Sequence, residues 1–362
     1  MASFKKKILV MVLLILLASA ACSVKNPFSK KDSAKKTKTE ELRTGTDGLK
    51  IRFLPNNPPA AVFVGENLQN RIDIAVELVN KGAYPQPEEH QTMIGKLYLS
   101  GYDKNIIDFT SGQLPFFDLS KTTALFGKTL INSEGGSEVA TFGPQVKLES
   151  LKVDKYEPIF LATLCYQYQT VAGPSVCIDP DPYPTIKQKK VCEVKDITLT
   201  SQGAPIAVTK IEEKALSEKT QFMITVKNVG GGDVLRMGSD ASQAGATQSS
   251  AQQSGNAIDK CDPSGSSKLT KEDIDKVYVE GITIGDKFLQ CWPFAESNAK
   301  SDKGHIRLQN GEGSIICELP KENNAYPGGS TAYTTPLKIE LRYTYKTTAE
   351  TKTLLKKEDT GE

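Results

Sequence analysis

Among side chains that do chemistry, histidine is scarce in this 362-residue chain, with only His90 and His305 against seven cysteines and 43 Asp+Glu, so carboxylate and cysteine chemistry remain open. Two histidines with no sequence-level partner make neither a multi-histidine metal site nor a histidine-activated nucleophile. Six cysteines, Cys165, Cys177, Cys192, Cys261, Cys291 and Cys317, remain beside Cys22, and none is spaced C-x-x-C. Thioredoxin-type and zinc-knuckle chemistry is therefore not indicated, and structural disulfides are, with many connectivities open to six cysteines. Asp179-Pro180-Asp181-Pro182 offers two carboxylates, Asp179 and Asp181, as weak candidates for a hard cation such as Ca²⁺. Two are too few alone, and the alternating prolines read more simply as a stiff connection. Ser33-x-x-Lys36 and Ser297-x-x-Lys300 have the spacing of a Ser–Lys nucleophile pair but lack its companion motifs. With no Gly-x-Ser-x-Gly elbow, phosphate loop or His-Glu-x-x-His, no catalytic residue and no cofactor is expected. The single tryptophan, Trp292, reads as a core residue beside a disulfide rather than a binding anchor.

The seventh cysteine, Cys22, has a different setting. Lys5-Lys6-Lys7 precede a run from Ile8 to Ala21 that is apolar except for Ser19. This is the charged, apolar and small-residue order of an export signal, too short for a spanning helix. Ser19-Ala20-Ala21-Cys22 resembles the lipobox of prokaryotic lipoproteins, with Ser19 where that family usually has Leu. The resemblance implies cleavage before Cys22, lipidation of its thiol and anchorage on the extracytoplasmic face of a membrane. Ordinary cleavage near Ala18-Ser19-Ala20, or an uncleaved anchor, are the alternatives. The stretch that follows, to Asp47, is polar, Lys-rich and without apolar periodicity, as a solvated tether would be.

Composition fits this address. The chain has 45 Lys+Arg against 43 Asp+Glu, a formal charge of +2, which gives no general reason to bind nucleic acid. At 38% hydrophobic and 24% charged it has the makings of an ordinary core. Past the tether the chain repeats itself. Ile72-Asp73-Ile74-Ala75-Val76-Glu77-Leu78-Val79-Asn80-Lys81-Gly82 matches Thr220-Gln221-Phe222-Met223-Ile224-Thr225-Val226-Lys227-Asn228-Val229-Gly230. Lys96-Leu97-Tyr98-Leu99-Ser100-Gly101 matches Lys276-Val277-Tyr278-Val279-Glu280-Gly281, and Leu164-Cys165-Tyr166-Gln167-Tyr168-Gln169-Thr170 matches Leu341-Arg342-Tyr343-Thr344-Tyr345-Lys346-Thr347. The later blocks are about 32 residues further apart than the first, which places an insertion in the second copy. The Ser-, Gly-, Ala- and Gln-rich stretch from Ser239 to Lys268 is where it falls, and that composition predicts a mobile loop.

The blocks alternate apolar and polar residues with the period of a strand, and helical periodicity is scarce beyond one turn at Lys271–Lys276 after Thr270. The predicted fold class is all-β, with two tandem immunoglobulin-like antiparallel β-sandwiches after a signal and lipid-anchor segment and a flexible linker. The expected layout is a signal peptide over 1–21, tether over 22–47, copy one over 48–190, and copy two over 191–347 with its insertion at about 237–269. A charged tail over 348–362 follows. A strand ending Val226-Lys227-Asn228-Val229-Gly230 resembles the second strand of bacterial and archaeal immunoglobulin-like modules of the cell-adhesion-related type. That resemblance implies an exported module for display or adhesion, with no catalytic residues to carry over. Asn and Gly there are expected to supply the positive φ of a tight turn.

Ala172-Gly173-Pro174 suggests a turn that would let Cys165 and Cys177 close a hairpin, leaving two bridges among Cys192, Cys261, Cys291 and Cys317. The function expected is a non-catalytic envelope lipoprotein acting as a surface stalk or protein-interaction module. Its partners would be the membrane and an envelope or surface protein. Ligand or polymer binding, through loops or the join between copies, is the alternative, and an exported carboxylate-dependent hydrolase is a third reading.

Overall fold

Strands form wherever the sequence alternates. The computed structural model describes residues 42–66, 68, 70–87, 91–109, 115–147, 152–184, 189–237, 257–321 and 331–358. The first copy contributes β1 (Leu49–Phe53), β2 (Ala61–Val64), β3 (Ile74–Asn80), β4 (Gly95–Ser100), β5 (Ile107–Asp108), β6 (Phe116–Asp118), β7 (Ser137–Phe142), β8 (Gln145–Val146), β9 (Lys155–Tyr156), β10 (Ile159–Ala172) and β11 (Ser175–Ile178). The second contributes β12 (Ile197–Thr198), β13 (Ile206–Ala215), β14 (Lys219–Asn228), β15 (Asp233–Leu235), β16 (Lys276–Ile284), β17 (Lys287–Phe288), β18 (Gln290–Trp292), β19 (Gly304–Arg307), β20 (Glu312–Pro320), β21 (Tyr333–Lys352) and β22 (Leu354–Lys357), with one short helix, α1 (Ala257–Lys260). The fold is all-β, built of antiparallel sheets packed as sandwiches, as in immunoglobulin-like domains. The turn at Lys271–Lys276 is not a helix. Thr270 donates its backbone N–H and its hydroxyl to Asp273 Oδ2, the reverse of an N-cap, and β16 begins at Lys276.

The copies correspond sheet by sheet. β1-β3-β7 form one three-stranded sheet, and β13-β14-β20 are the centre of its five-stranded counterpart, which β12 and β18 extend. Opposite them runs a single larger sheet in the order β17-β16-β21-β10-β4-β6. The second sequence block is displaced in register, since Leu164 pairs with Leu97 whereas its counterpart Leu341 pairs with Val279. A two-residue slip keeps every side chain on its original face, which is why the block match survives it.

The copies are not independent cores. β10 and β21, the third repeat block in each copy, pair antiparallel along the whole 14-residue length of β10. One hydrophobic core therefore runs from Leu49, Val76 and Leu164 to Ile224, Ile315 and Leu341, and Lys38–Glu362 is one compact unit. The physical reason is the sheet edge. Each copy ends in a long strand that would otherwise expose unpaired N–H and C=O groups, and pairing the two strands removes both edges.

Three boundaries differ from the sequence expectation. The tether does not last to Asp47, because Arg43 Nη1 donates to Val171 O at 3.3 Å and Gly45 N to Ser201 Oγ at 3.1 Å. The charged tail is folded through Lys357: β21 pairs Thr348 with Thr163 and Lys352 with Ile159, and β22 pairs in parallel with β2, burying Leu355. In the insertion, residues 238–256 lie outside the described residues, but Ala257–Cys261 is ordered and largely buried.

Candidate functional site

The repeat motifs meet at the seam between β10 and β21. Tyr166 stands opposite Tyr345, Tyr168 opposite Tyr343, and Gln167 opposite Thr344. In the repeat, Tyr166 corresponds to Tyr343 and Tyr168 to Tyr345, so each tyrosine faces the counterpart of its neighbour. That reciprocity is the signature of an isologous interface, here formed within one chain about a pseudo-two-fold axis through Gln167 and Thr344. The rings obey it: centroids lie 6.0 Å apart for Tyr166–Tyr345 and 6.3 Å for Tyr168–Tyr343. Burial pushes the Tyr166 and Tyr343 hydroxyls well above their ordinary value, so they remain neutral hydrogen-bonding groups.

The Asn-x-Gly motif is explained here, and not by positive φ, since neither Asn80, Gly82, Asn228 nor Gly230 has it. Asn80 Nδ2 donates to Tyr84 O (2.8 Å) and Leu125 O (3.0 Å), and its Oδ1 accepts from Gly82 N (3.1 Å) and the Tyr168 hydroxyl (3.2 Å). Asn228 repeats three of these, with Gly232 O (2.8 Å), Gly230 N (3.2 Å) and the Tyr345 hydroxyl (3.0 Å). The glycines are needed for room. A Cβ on Gly82 would stand 2.0 Å from the Tyr168 hydroxyl oxygen, and one on Gly230 would stand 2.4 Å from that of Tyr345.

The cysteines pair differently from the expected hairpin. Cys165 bonds to Cys261, Cys177 to Cys192 and Cys291 to Cys317. Cys165 points away from the tyrosine face of β10, toward the insertion of copy two, which crosses onto copy one. There the Tyr98 hydroxyl donates to Ile258 O (3.0 Å), Lys96 pairs with Asp259 (2.7 Å), and Tyr98, Leu235, Ala257 and Cys261 form a small second core. Only the Cys291–Cys317 bridge lies within the group of four expected to pair among themselves; it links facing residues of β18 and β20. Three disulfides belong to a chain folding in an oxidising, extracytoplasmic environment. Cys22 lies outside the described residues.

Asp179 is buried, accepts from Lys190 Nζ at 2.5 Å and from Asp181 N at 3.1 Å, while Asp181 gives Lys190 only its carbonyl oxygen. Lys190 thus occupies the place a cation would need, and among the described residues no group of three or more His, Cys, Asp or Glu is arranged to hold a metal. Lys300 lies 4.6 Å over the half-buried Trp292 ring and pairs with Glu318 at 2.5 Å, so it is not directed at Ser297, whose Oγ accepts from Ala299 N. His305 is 8% exposed, and its Nδ1 is 2.7 Å from Glu296 Oε1. Burial holds the imidazole below its ordinary value despite the pull of Glu296. His90, Ser33 and Lys36 lie outside the described residues.

The most unusual ionisable group was not among those candidates. Glu213 sits on β13 at an inward position, two residues after Ile211, and is 6% exposed. Its Oε2 accepts from Cys177 N at 3.3 Å, while its buried Oε1 has no hydrogen-bond partner among the described residues. It lines a cleft of about 520 Å³ with Val176, Val191, Ile197, Glu193 and Lys195, beside the Cys177–Cys192 bridge. A carboxylate in the apolar phase of Ile206-x-Val208 and Ile211-x-Glu213 was the available sequence signal. A smaller hollow of about 160 Å³ lies where the copies join, lined by Arg43, Gln169, Gln202, Lys338 and Glu340.

No family model and no curated protein matches the chain. Among the described residues no helix is long and apolar enough to cross a membrane.

Burial raises Glu213 from the ordinary 4.5 to about 7. Between those values the folded protein holds a proton that the unfolded chain has released, so Glu213 lowers stability as pH rises from about 4.5 to about 7, with no further effect above. The effect is about 2 kcal/mol after allowance for the open cleft. Urea denaturation of wild type and Glu213→Gln at pH 5 and pH 8 isolates it: the variant is expected to gain relative stability at pH 8. Equal pH dependence in both proteins would show that Glu213 does not titrate in this way.

Proposed function

We propose that this chain is a non-catalytic prokaryotic envelope lipoprotein. In this reading it is exported, tethered through a lipidated Cys22 to the extracytoplasmic face of a membrane, and presents its sandwich pair as a stalk or interaction module to an envelope or surface protein. The observation that carries the reading is the fusion of the two copies through β10 and β21, reinforced by the Cys165–Cys261 bridge between them. A surface spacer or docking platform benefits from such a joint, because relative motion of two domains is the default unless their interface is large and apolar. The order of charged, apolar and small residues before Cys22, and the Lys-rich stretch after it, supply the anchoring part of the proposal.

Fractionation and proteolysis test the two parts separately. Wild-type protein is expected in the membrane fraction with the mass of a diacylated N-terminal Cys22, and Cys22→Ser in the soluble fraction or retained as unprocessed precursor. Membrane-bound wild type with an unmodified Cys22 would replace the lipid anchor by an uncleaved one. Limited proteolysis of the oxidised protein is expected to leave one resistant body containing both copies, held together even where the insertion is nicked. Two cores that separate once the chain has been cut between the copies and the Cys165–Cys261 and Cys177–Cys192 bridges have been reduced would remove the basis for a stiff joint. A pull-down from the envelope fraction then identifies the partner.

A further inference from the structure

A fold that needs Glu213 only for stability has no evident reason to keep it. The residue occupies an inward strand position next to Ile211, leaves Oε1 without a partner, and faces a cleft rather than a packed interior. An unmade hydrogen bond at a buried carboxylate is costly, so such an arrangement is more stable with a donor bound. The surroundings limit which donor. Val176, Val191 and Ile197 line the cleft, and Val191 is an aliphatic side chain 85% exposed. Four charged side chains line the cleft, Lys190, Glu193, Lys195 and Glu213. Lys190 is already neutralised by Asp179 at 2.5 Å, so among the described residues the remaining three leave an excess of one negative charge once Glu213 is ionised. An apolar stem ending in a cationic donor matches both features.

We infer that the cleft beside the Cys177–Cys192 bridge binds an aliphatic primary ammonium group, of an alkylamine or of a lysine side chain, with Glu213 as its acceptor and Val176, Val191 and Ile197 along its methylene stem. Oε1 is closed to solvent as it stands, so a rotation of the Glu213 carboxylate toward the cleft brings it to the ammonium, which then supplies the hydrogen bond that Oε1 lacks and offsets the charge of the carboxylate in a partly desolvated place. The Cys177 N–H, which donates to the other carboxylate oxygen, reports on occupancy. This inference does not depend on lipid anchorage.

The test uses the full mature chain with its disulfides intact, followed by the amide resonance of Cys177 and by calorimetry. The probes are n-butylammonium, n-butanol, tetramethylammonium and N-acetyl-lysine-methylamide. Butylammonium is expected to bind at pH 8 and move the Cys177 amide, while butanol and tetramethylammonium, which lack the charge or the N–H donors, do not. Because Glu213 titrates at about 7, affinity is expected to fall about tenfold from pH 8 to pH 6. Glu213→Gln is expected to weaken binding tenfold or more at pH 8 and to remove the pH dependence. Tighter binding of the lysine derivative assigns the site to a peptide or protein side chain, and tighter binding of butylammonium to a free amine. Failure of butylammonium to move the wild-type Cys177 resonance overturns the inference without any variant, as does butanol binding equally well or affinity unchanged in Glu213→Gln.

Discussion

Asn80→Ala is expected to lower the unfolding free energy by about 3–5 kcal/mol, among the larger effects available to a single side chain here. Asn80 has no solvent exposure and makes four hydrogen bonds, two donated and two accepted. Alanine removes a partner from Leu125 O and Gly82 N, which are buried, and from Tyr84 O, which is part-buried. The Tyr168 hydroxyl loses its acceptor but still accepts from Tyr84 N at 3.2 Å, which limits the cost at that end. The same change at Asn228 is expected to cost about 1–2 kcal/mol, since that residue is only half-buried and makes three such bonds. Denaturant unfolding of both variants measures the difference. A double-mutant cycle with Tyr168→Phe should show coupling of about 1 kcal/mol with Asn80 and none with Asn228. Equal costs at the two asparagines would mean that the loop, and not the buried amide, sets the value.

What the sequence made legible was whatever a local period can carry. Ile74, Val76 and Leu78 alternate with polar neighbours, as do Leu337, Ile339 and Leu341, and both runs are strands with a buried face. The duplication was legible for the same reason, since conserving a buried face twice leaves matching blocks. The joining of the copies was not. Nothing in Tyr166-Gln167-Tyr168 states that its partner is Tyr343-Thr344-Tyr345, because strand pairing is fixed by long-range geometry and edge protection rather than by local pattern. The tail does not read as a strand because its alternation, Thr351, Thr353 and Leu355, is mostly polar and short. It pairs with strands far away in sequence, and Thr353 and Leu355 are buried there nonetheless.

The candidate site was hidden by a different cause. A scan for chemistry looks for clusters and motifs, whereas Glu213 is one carboxylate whose peculiarity is its phase on β13 and its neighbour Cys177, 36 residues away. The Asn-x-Gly motif shows the converse. It is visible in the sequence and suggests backbone conformation, whereas the tyrosine hydroxyls packed on Gly82 and Gly230 supply its reason. In both cases the residue type was informative and the partner that gives it meaning came from another strand.

Removing the Cys165–Cys261 bridge, by Cys165→Ala with Cys261→Ala, is expected to cost about 3–4 kcal/mol, the other large effect. The bridged residues are 96 apart in sequence, against 15 for Cys177 and Cys192. Loop-closure entropy alone makes the longer bridge more stabilising by about 1.5 kcal/mol. The structural consequence should be local. α1 has four residues and cannot persist in isolation, so without the bridge the Ala257–Cys261 segment depends on the Tyr98 and Lys96 contacts. Hydrogen exchange is expected to accelerate over Ala257–Asp262 and at Tyr98, while the β10–β21 ladder, held by its own backbone pairing and by the tyrosines, keeps its protection. If the ladder lost protection together with the insertion, the disulfide would be what joins the copies and the sheet pairing would follow from it. If neither changed, the segment from copy two would be seated on copy one by its apolar contacts alone, and the bridge would act only on the unfolded chain.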